Sequence, residues 1–218
     1  NPEVFGQNSL DYFRDNGPNT DWFDVIFDSA MIQQHDFSIS GGGNNSSYRI
    51  SFGLLDQHGV TPESGFNRFN TRINFSTDLS DKFSIKTGLA ITRGDRFSSQ
   101  ENLAGNGSEL YDAAEATPLF PAYDDMGRIA IANPDISGAS LGNPLATIES
   151  SQFHQINYAL LGNITLDYEP IEGLVFSLQG AANYRNFNDE IFNPSYFVYD
   201  FITGEEFIRN PLRGRSRT

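Results

Sequence analysis

Cysteine is absent from this chain, which excludes disulfide scaffolds, thiolate metal sites and cysteine nucleophiles. Basic residues are scarce. Fourteen Lys and Arg stand against 28 Asp and Glu, and the net charge of −14 repels phosphate backbones and anionic headgroups, so nucleic acid is not an expected partner. Long apolar runs are missing as well, falling far short of the roughly 20 residues with which a helix crosses a bilayer. Only a β-barrel could carry this chain across a membrane. Its 38% hydrophobic residues can cover a surface, though they cannot build apolar helical spans.

What the chain does have is alternation. From Phe66 to Asp78, Phe69, Thr71, Ile73, Phe75 and Thr77 share one face, while Arg68, Asn70, Arg72, Asn74, Ser76 and Asp78 share the other. After a turn at Leu79 to Lys82, Phe83, Ile85, Thr87, Leu89 and Ile91 oppose Ser84, Lys86, Gly88, Ala90 and Thr92, which makes a hairpin. Further on, Ile156, Tyr158, Leu160, Ile164, Leu166 and Tyr168 oppose Asn157, Ala159, Asn163, Thr165 and Asp167, with Leu161 and Gly162 as imperfections. A turn from Glu169 to Gly173 then leads to Leu174, Phe176, Leu178, Ala182 and Tyr184 opposite Ser177, Gln179, Asn183 and Arg185. A third hairpin, near the start, runs from Phe37 and Ile39 through 41–45 into Tyr48, Ile50, Phe52 and Leu54.

Strands of about 13 residues at roughly 3.3 Å each, tilted near 45°, rise about 30 Å, which matches a bilayer core. Connections alternate between short (41–45, 79–82, 169–173) and long (57–65, then 94–151), as in outer-membrane barrels. The predicted fold class is therefore all-β: an antiparallel transmembrane β-barrel segment of about six long strands in hairpins, with a long extracellular loop carrying a short helix. Residues 1–218 read as part of one barrel domain, and 94–151 as its long extracellular loop. No leader precedes Asn1, and Arg213, Arg215 and Arg217 alternate like the opening of another strand, so both ends read as cuts. A soluble antiparallel sandwich, such as a carbohydrate-binding module, produces the same alternation and is the alternative.

Chemistry-bearing motifs are few. Gly41, Gly42 and Gly43 precede a strand, with no lysine or helix behind them, so they form a hairpin turn and not a phosphate loop. Gly105, Asn106 and Gly107 cap a short predicted helix, Ser108 to Ala116. His35, His58 and His154 lack metal-ligand spacing, and Asp124 and Asp125 lack the alternating carboxylates of a calcium loop. Neither Asp189 with Glu190 nor Glu205 with Glu206 can flank a sugar bond from adjacent positions. With no converging acid/base pair, an enzyme is not expected, and no cofactor or metal is assigned.

The long loop is the natural substrate-facing surface, because loops over about 15 residues in compact proteins are commonly functional. Tyr111, Phe120 and Tyr123, with Asp124 and Asp125, are its candidates: aromatic faces stack on sugars or peptides and carboxylates hydrogen-bond to them. The competing role for these aromatics is to pin the loop to the barrel rim.

Several stretches resemble a known family. Asn19, Thr20, Asp21, Trp22, Phe23, Asp24, Val25, Ile26, Phe27 resembles the Asn-Thr-Asp-Trp-x-Asp-x-Ile-Phe signature of SusC/RagA-like TonB-dependent transporters. His35 through Gly42 is similar to that family's His-x-x-Ser-x-Ser-Gly-Gly strand end, and Asp56, Gln57, His58, Gly59 to its Asp-Gln-x-Gly element. Arg68 to Asn74 resembles its Arg-x-Asn-x-Arg-x-Asn strand, and Pro118, Pro121, Tyr123, Asp124 and Gly127 resemble its Pro-x-x-Pro-x-Tyr-Asp-x-x-Gly stretch. The resemblance implies a parent of roughly 22 strands around a plug, in the outer membrane of a Gram-negative bacterium. It also implies import of oligosaccharides or peptides, a SusD-like surface lipoprotein as partner and energy through the TonB complex. Such a barrel needs a polar lumen, for which Arg68, Arg72, Asn74, Lys86, Asn163 and Arg185 are the candidates, and an apolar belt facing outer-membrane lipid.

Overall fold

The computed structural model describes residues 17–99, 109–131, 143–150, 152–192, 196–200 and 206–209. Six strands form one antiparallel sheet: β1 Ile32–Gly42, β2 Ser46–His58, β3 Gly65–Ser80, β4 Phe83–Ser98 and, beyond the two-residue β5 Ala130–Ile131, β6 Gln152–Ile171 and β7 Leu174–Phe192. Their order is β1-β2-β3-β4-β6-β7. β3 and β4 each run 16 residues, β6 20 and β7 19, about three times an ordinary globular strand. Among the described residues no helix is long and apolar enough to cross a membrane.

The strands run further than their side-chain pattern foretells. β4 continues through Gly94 to Ser98, inside the stretch read from sequence as loop, and β6 carries Glu169 and Pro170 within it, which shrinks the turn to Glu172–Gly173. A backbone ladder needs no hydrophobic contrast. Gly94 pairs with Asn157 and Arg96 with Gln155, so hydrogen bonding persists where the apolar and polar alternation has lapsed. The short helix expected over Ser108–Ala116 is present as Glu109–Glu115. The Gly105–Gly107 cap, Glu205 and the alternating arginines 213–217 lie outside the described residues.

The sheet has no core of its own. Phe37 and Leu178 are 65% and 68% exposed, and Phe52, Phe69, Ile73, Leu160 and Tyr184 are exposed on the same face. A soluble sandwich would bury that face under a second sheet.

Buried apolar residues collect instead at the end opposite the tight turns. There α1 (Trp22–Ile26), α2 (Glu109–Glu115) and α3 (Pro144–Ser150) enclose Trp22, 5% exposed, and Ile26, 0% exposed, with Ala113, Ala122, Leu145 and Ile148. Helix α1 is too short to stand alone. Asp21 caps it by accepting the Phe23 and Asp24 amides at 3.1 and 3.2 Å, and Trp22 and Ile26, four residues apart, bury one side of it. Strand β8 (Tyr196–Asp200) runs parallel to β5 and antiparallel to β9 (Glu206–Arg209), which brings the segment after β7 to the same cap.

Candidate functional site

Strand register decides which side chains share a surface. Arg72 lies between Ser51 and Ala90, Asn74 between Arg49 and Gly88, and Gly88 beside Asn163. Arg68 pairs with Gly94 and Lys86 with Thr165, while Arg185 pairs with Ala159, the neighbour of Thr92. All six residues proposed from sequence to line a lumen, Arg68, Arg72, Asn74, Lys86, Asn163 and Arg185, therefore fall on one face. Register shifts occur only near the turns, between Asp78 and Ser80 and between Tyr168 and Ile171, so parity holds across the sheet.

This face gathers basic charge in an acidic chain. Arg49, Arg68, Arg72, Lys86, Arg96 and Arg185 lie on it, six of the 14 Lys and Arg, and they outnumber Asp36, Asp78, Asp167 and Asp189 on the same face. Lys86 Nζ donates to Asp167 Oδ2 at 2.9 Å, and Ser177 Oγ donates to Asp167 Oδ1 at 2.6 Å, a chain across three strands. A groove of about 610 Å³ lies between Ser40, Arg49, Asn74, Lys86 and Asn163. Gly88 makes room there, since a Cβ on it would sit 2.6 Å from the Asn163 amide oxygen.

The opposite face is an apolar belt with polar margins. Along β6 it runs from Tyr158 to Tyr168, ten residue steps that at roughly 3.3 Å each and a tilt of about 40° stand about 25 Å tall. Phe83 stacks on Tyr168 at 4.4 Å between centroids, at the tight-turn end. Beyond the other end the same face carries Asp56, Asn67, Arg93, Asp95 and His154. Arg93 Nη2 donates to Asp95 Oδ2 at 2.9 Å, and His154 Nε2 shares a hydrogen bond with Asp95 Oδ1 at 2.5 Å.

The five loop candidates divide. Phe120 packs against the cap core, and its carbonyl accepts the Thr20 hydroxyl at 2.6 Å. Asp124 organises a turn: Oδ1 accepts the Met126 and Arg128 amides, both at 2.9 Å, and Oδ2 accepts Arg128 Nε at 2.7 Å and Nη2 at 2.6 Å. The Arg128 hydrogen bonds hold the Asp124 carboxyl below its ordinary range, and Asp124 in turn raises Arg128. Gly127, at φ +77°, supplies the left-handed residue this turn requires. Tyr123 and Asp125 remain exposed, whereas the Tyr111 hydroxyl donates to Glu115 Oε1 at 2.5 Å, which raises its pKa. Sequence reasoning missed Thr20, Trp22, Arg128 and Tyr199 as builders of this region. The Asp124–Arg128 spacing with Gly127 between was the available signal for one of them. Among the described residues no His, Asp and Glu cluster could hold a metal.

No family model matches the chain. Among curated proteins it is 29% identical over 178 residues to the TonB-dependent receptor P26 of Formosa agariphila, covering 82% of this chain and 17% of that protein. It is 30% identical over 197 residues to receptor P3 of the same organism, covering 87% and 19%, and 28% identical over 172 residues to the TonB-dependent receptor SusC of Bacteroides thetaiotaomicron, covering 69% and 16%. The chain thus spans less than a fifth of the length of these relatives. Among solved structures the fold matches the RagAB peptide importer in its closed-closed state, with a TM-score of 0.65 at 23% identity over 79% of this chain and 20% of that one. The open-open state matches at 0.65 and 24% identity, over 78% and 19%. Sequence and fold together define a β-barrel segment of the TonB-dependent receptor class, outer-membrane proteins of Gram-negative bacteria. Within that class the chain is of the SusC/RagA-like kind.

Proposed function

We propose that this chain forms part of the barrel wall of an active importer, with the basic polar face toward the lumen and the apolar belt toward outer-membrane lipid. The observation that carries the reading is the two-faced sheet. One face is a belt of the height a bilayer core requires, bounded by tyrosines, and the other holds all six polar candidates in register. The short turns then face the periplasm and the cap faces outward, following the loop asymmetry of outer-membrane barrels. Cargo would be an oligosaccharide or a peptide. Arginine, lysine and asparagine side chains along the lumen offer hydrogen bonds to hydroxyl, carbonyl and carboxylate groups. Energy would come through TonB, and a SusD-like lipoprotein would serve as the surface partner. SusC and the RagAB importer, as relatives in sequence and fold, support this assignment.

The test is location and size. An antibody raised to this chain should detect an outer-membrane band far above 24.2 kDa whose gel mobility changes on boiling. A soluble band near 24.2 kDa would sink the reading in favour of a free-standing β-domain.

A further inference from the structure

We infer that the segment before β1, the β4–β6 connection and the stretch after β7 form one cooperative cap over the polar face at the end opposite the tight turns, and that Asn19–Phe27 is its latch. Stretches remote in sequence meet there. The Thr20 amide donates to the Pro118 carbonyl at 2.9 Å, the Thr20 hydroxyl to the Phe120 carbonyl at 2.6 Å, and the Trp22 indole N–H to the Thr117 carbonyl at 2.9 Å. Three bonds from the segment before β1 thus land on residues 117–120 of the β4–β6 connection. Trp22 and Ile26 share their core with Ala113 of α2 and with Leu145 and Ile148 of α3. The stretch after β7 joins as well: Tyr199 pairs with Ala130, and the Arg128 guanidinium lies 3.6 Å from the centre of the Tyr199 ring.

Burial shows which side the cap covers. Phe153 is 3% exposed, Ser98 is buried, and the two are paired in register on the face that carries Asn157 and Asn163. At the strand ends Ile148 of the cap lines a cavity with Phe153 and Ser98, and Phe97 and His154 of the other face reach its margin. The cap therefore rests on the polar side of the sheet. Because its core is single and small, neither α1 nor the pair α2 and α3 can leave without exposing apolar surface of the other, so opening is all-or-none. Naming the covered side a lumen rests on the transport reading, whereas the coupling among the connections does not.

Trypsin applied to the whole receptor in outer-membrane vesicles tests this. Arg128 is the one Lys or Arg between 109 and 131, so cleavage there reports opening of the β4–β6 connection. Trp22→Ala, in the segment before β1, is expected to speed that cut at least about tenfold, since truncating a buried tryptophan removes most of a small core. Thr20→Val, which keeps the shape and removes the hydroxyl donor, is expected to speed it about threefold. Phe23→Ala, on the exposed side of α1, is expected to leave it unchanged, and all three variants should keep heat-dependent gel mobility. Unchanged cutting at Arg128 in both Trp22→Ala and Thr20→Val overturns the cap, as does loss of heat-dependent mobility in both. A parent receptor without heat-dependent mobility counts against the transport reading instead.

Discussion

Ile73 and Ile26 are the same residue put to opposite uses. Ile73 stands on the sheet's apolar face, exposed and flanked in register by Ile50 and Leu89, while Ile26 is sealed within the cap. On the transport reading the sheet meets a solvent that is itself apolar, so its greasy residues point outward and backbone hydrogen bonds hold it together. The cap follows aqueous logic, with apolar side chains inward and a polar exterior. Two solvents within one chain explain why an ordinary core is confined to the cap.

The comparison can be broken by making one change in both places. Ile26→Ala should cost about 2 to 5 kcal/mol of local stability, because it leaves a cavity in a small core. Faster amide exchange across α1 and α2 would register it, whereas Ile73→Ala should change the same readout little. Charge reverses the sensitivity. Ile73→Arg or Leu89→Arg should each destabilise the receptor folded in lipid by about 2 to 4 kcal/mol, measured by urea unfolding in vesicles, while Thr92→Arg on the polar face should stay within about 1 kcal/mol. If Thr92→Arg proved the more damaging change, the two faces would have to be exchanged. A smaller effect belongs to the belt's margin. Phe83→Leu should lose about 0.5 to 1.5 kcal/mol in the same unfolding assay, the worth of the stack on Tyr168 beyond its buried area.

The smallest effect lies in the Asp124 turn and depends on pH. A carboxyl held below its ordinary value of about 3.9 stabilises the folded turn above that pH and loses its contribution as pH falls through the depressed value. Exchange of the Met126 and Arg128 amides, corrected for the intrinsic rate, should be flat from neutral pH to about 4 and rise on further acidification. Asp124→Asn should abolish that step. A wild-type turn without the step would show that the Arg128 pairing does not hold the carboxyl.

Alternation made the sheet legible because it persists over whole strands: from Arg68 to Asp78 every side chain's face follows from parity, and the register confirms it. Parity also placed the six polar candidates together before any pairing was known. Strand ends were less legible. Gly94, Asp95, Arg96 and Ser98 read as loop residues by type, yet they pair in order with Asn157, Ile156, Gln155 and Phe153. The cap was hidden for a different reason, since its contacts join residues as far apart as Thr20 and Phe120, which no local pattern encodes. One motif gains its explanation only in space. Gly59, in the Asp56–Gly59 element, lies so close to Ser64 that any Cβ would collide with that hydroxyl, and its amide donates to the Ser64 carbonyl at 2.8 Å.

The strand order β1-β2-β3-β4-β6-β7 has a consequence for how the wall is assembled and how it diversifies. Each strand joins the one made just before it, so most pairings close short loops, and low contact order of this kind favours rapid zipping from hairpin to hairpin. The excursion between β4 and β6 is the exception, but closure entropy grows only logarithmically, so doubling such a loop costs about 0.6 kcal/mol. The segments at the cap end can therefore lengthen and change sequence over evolutionary time with little penalty to the barrel, provided the ends at Ser98 and Gln152 still meet the same partners.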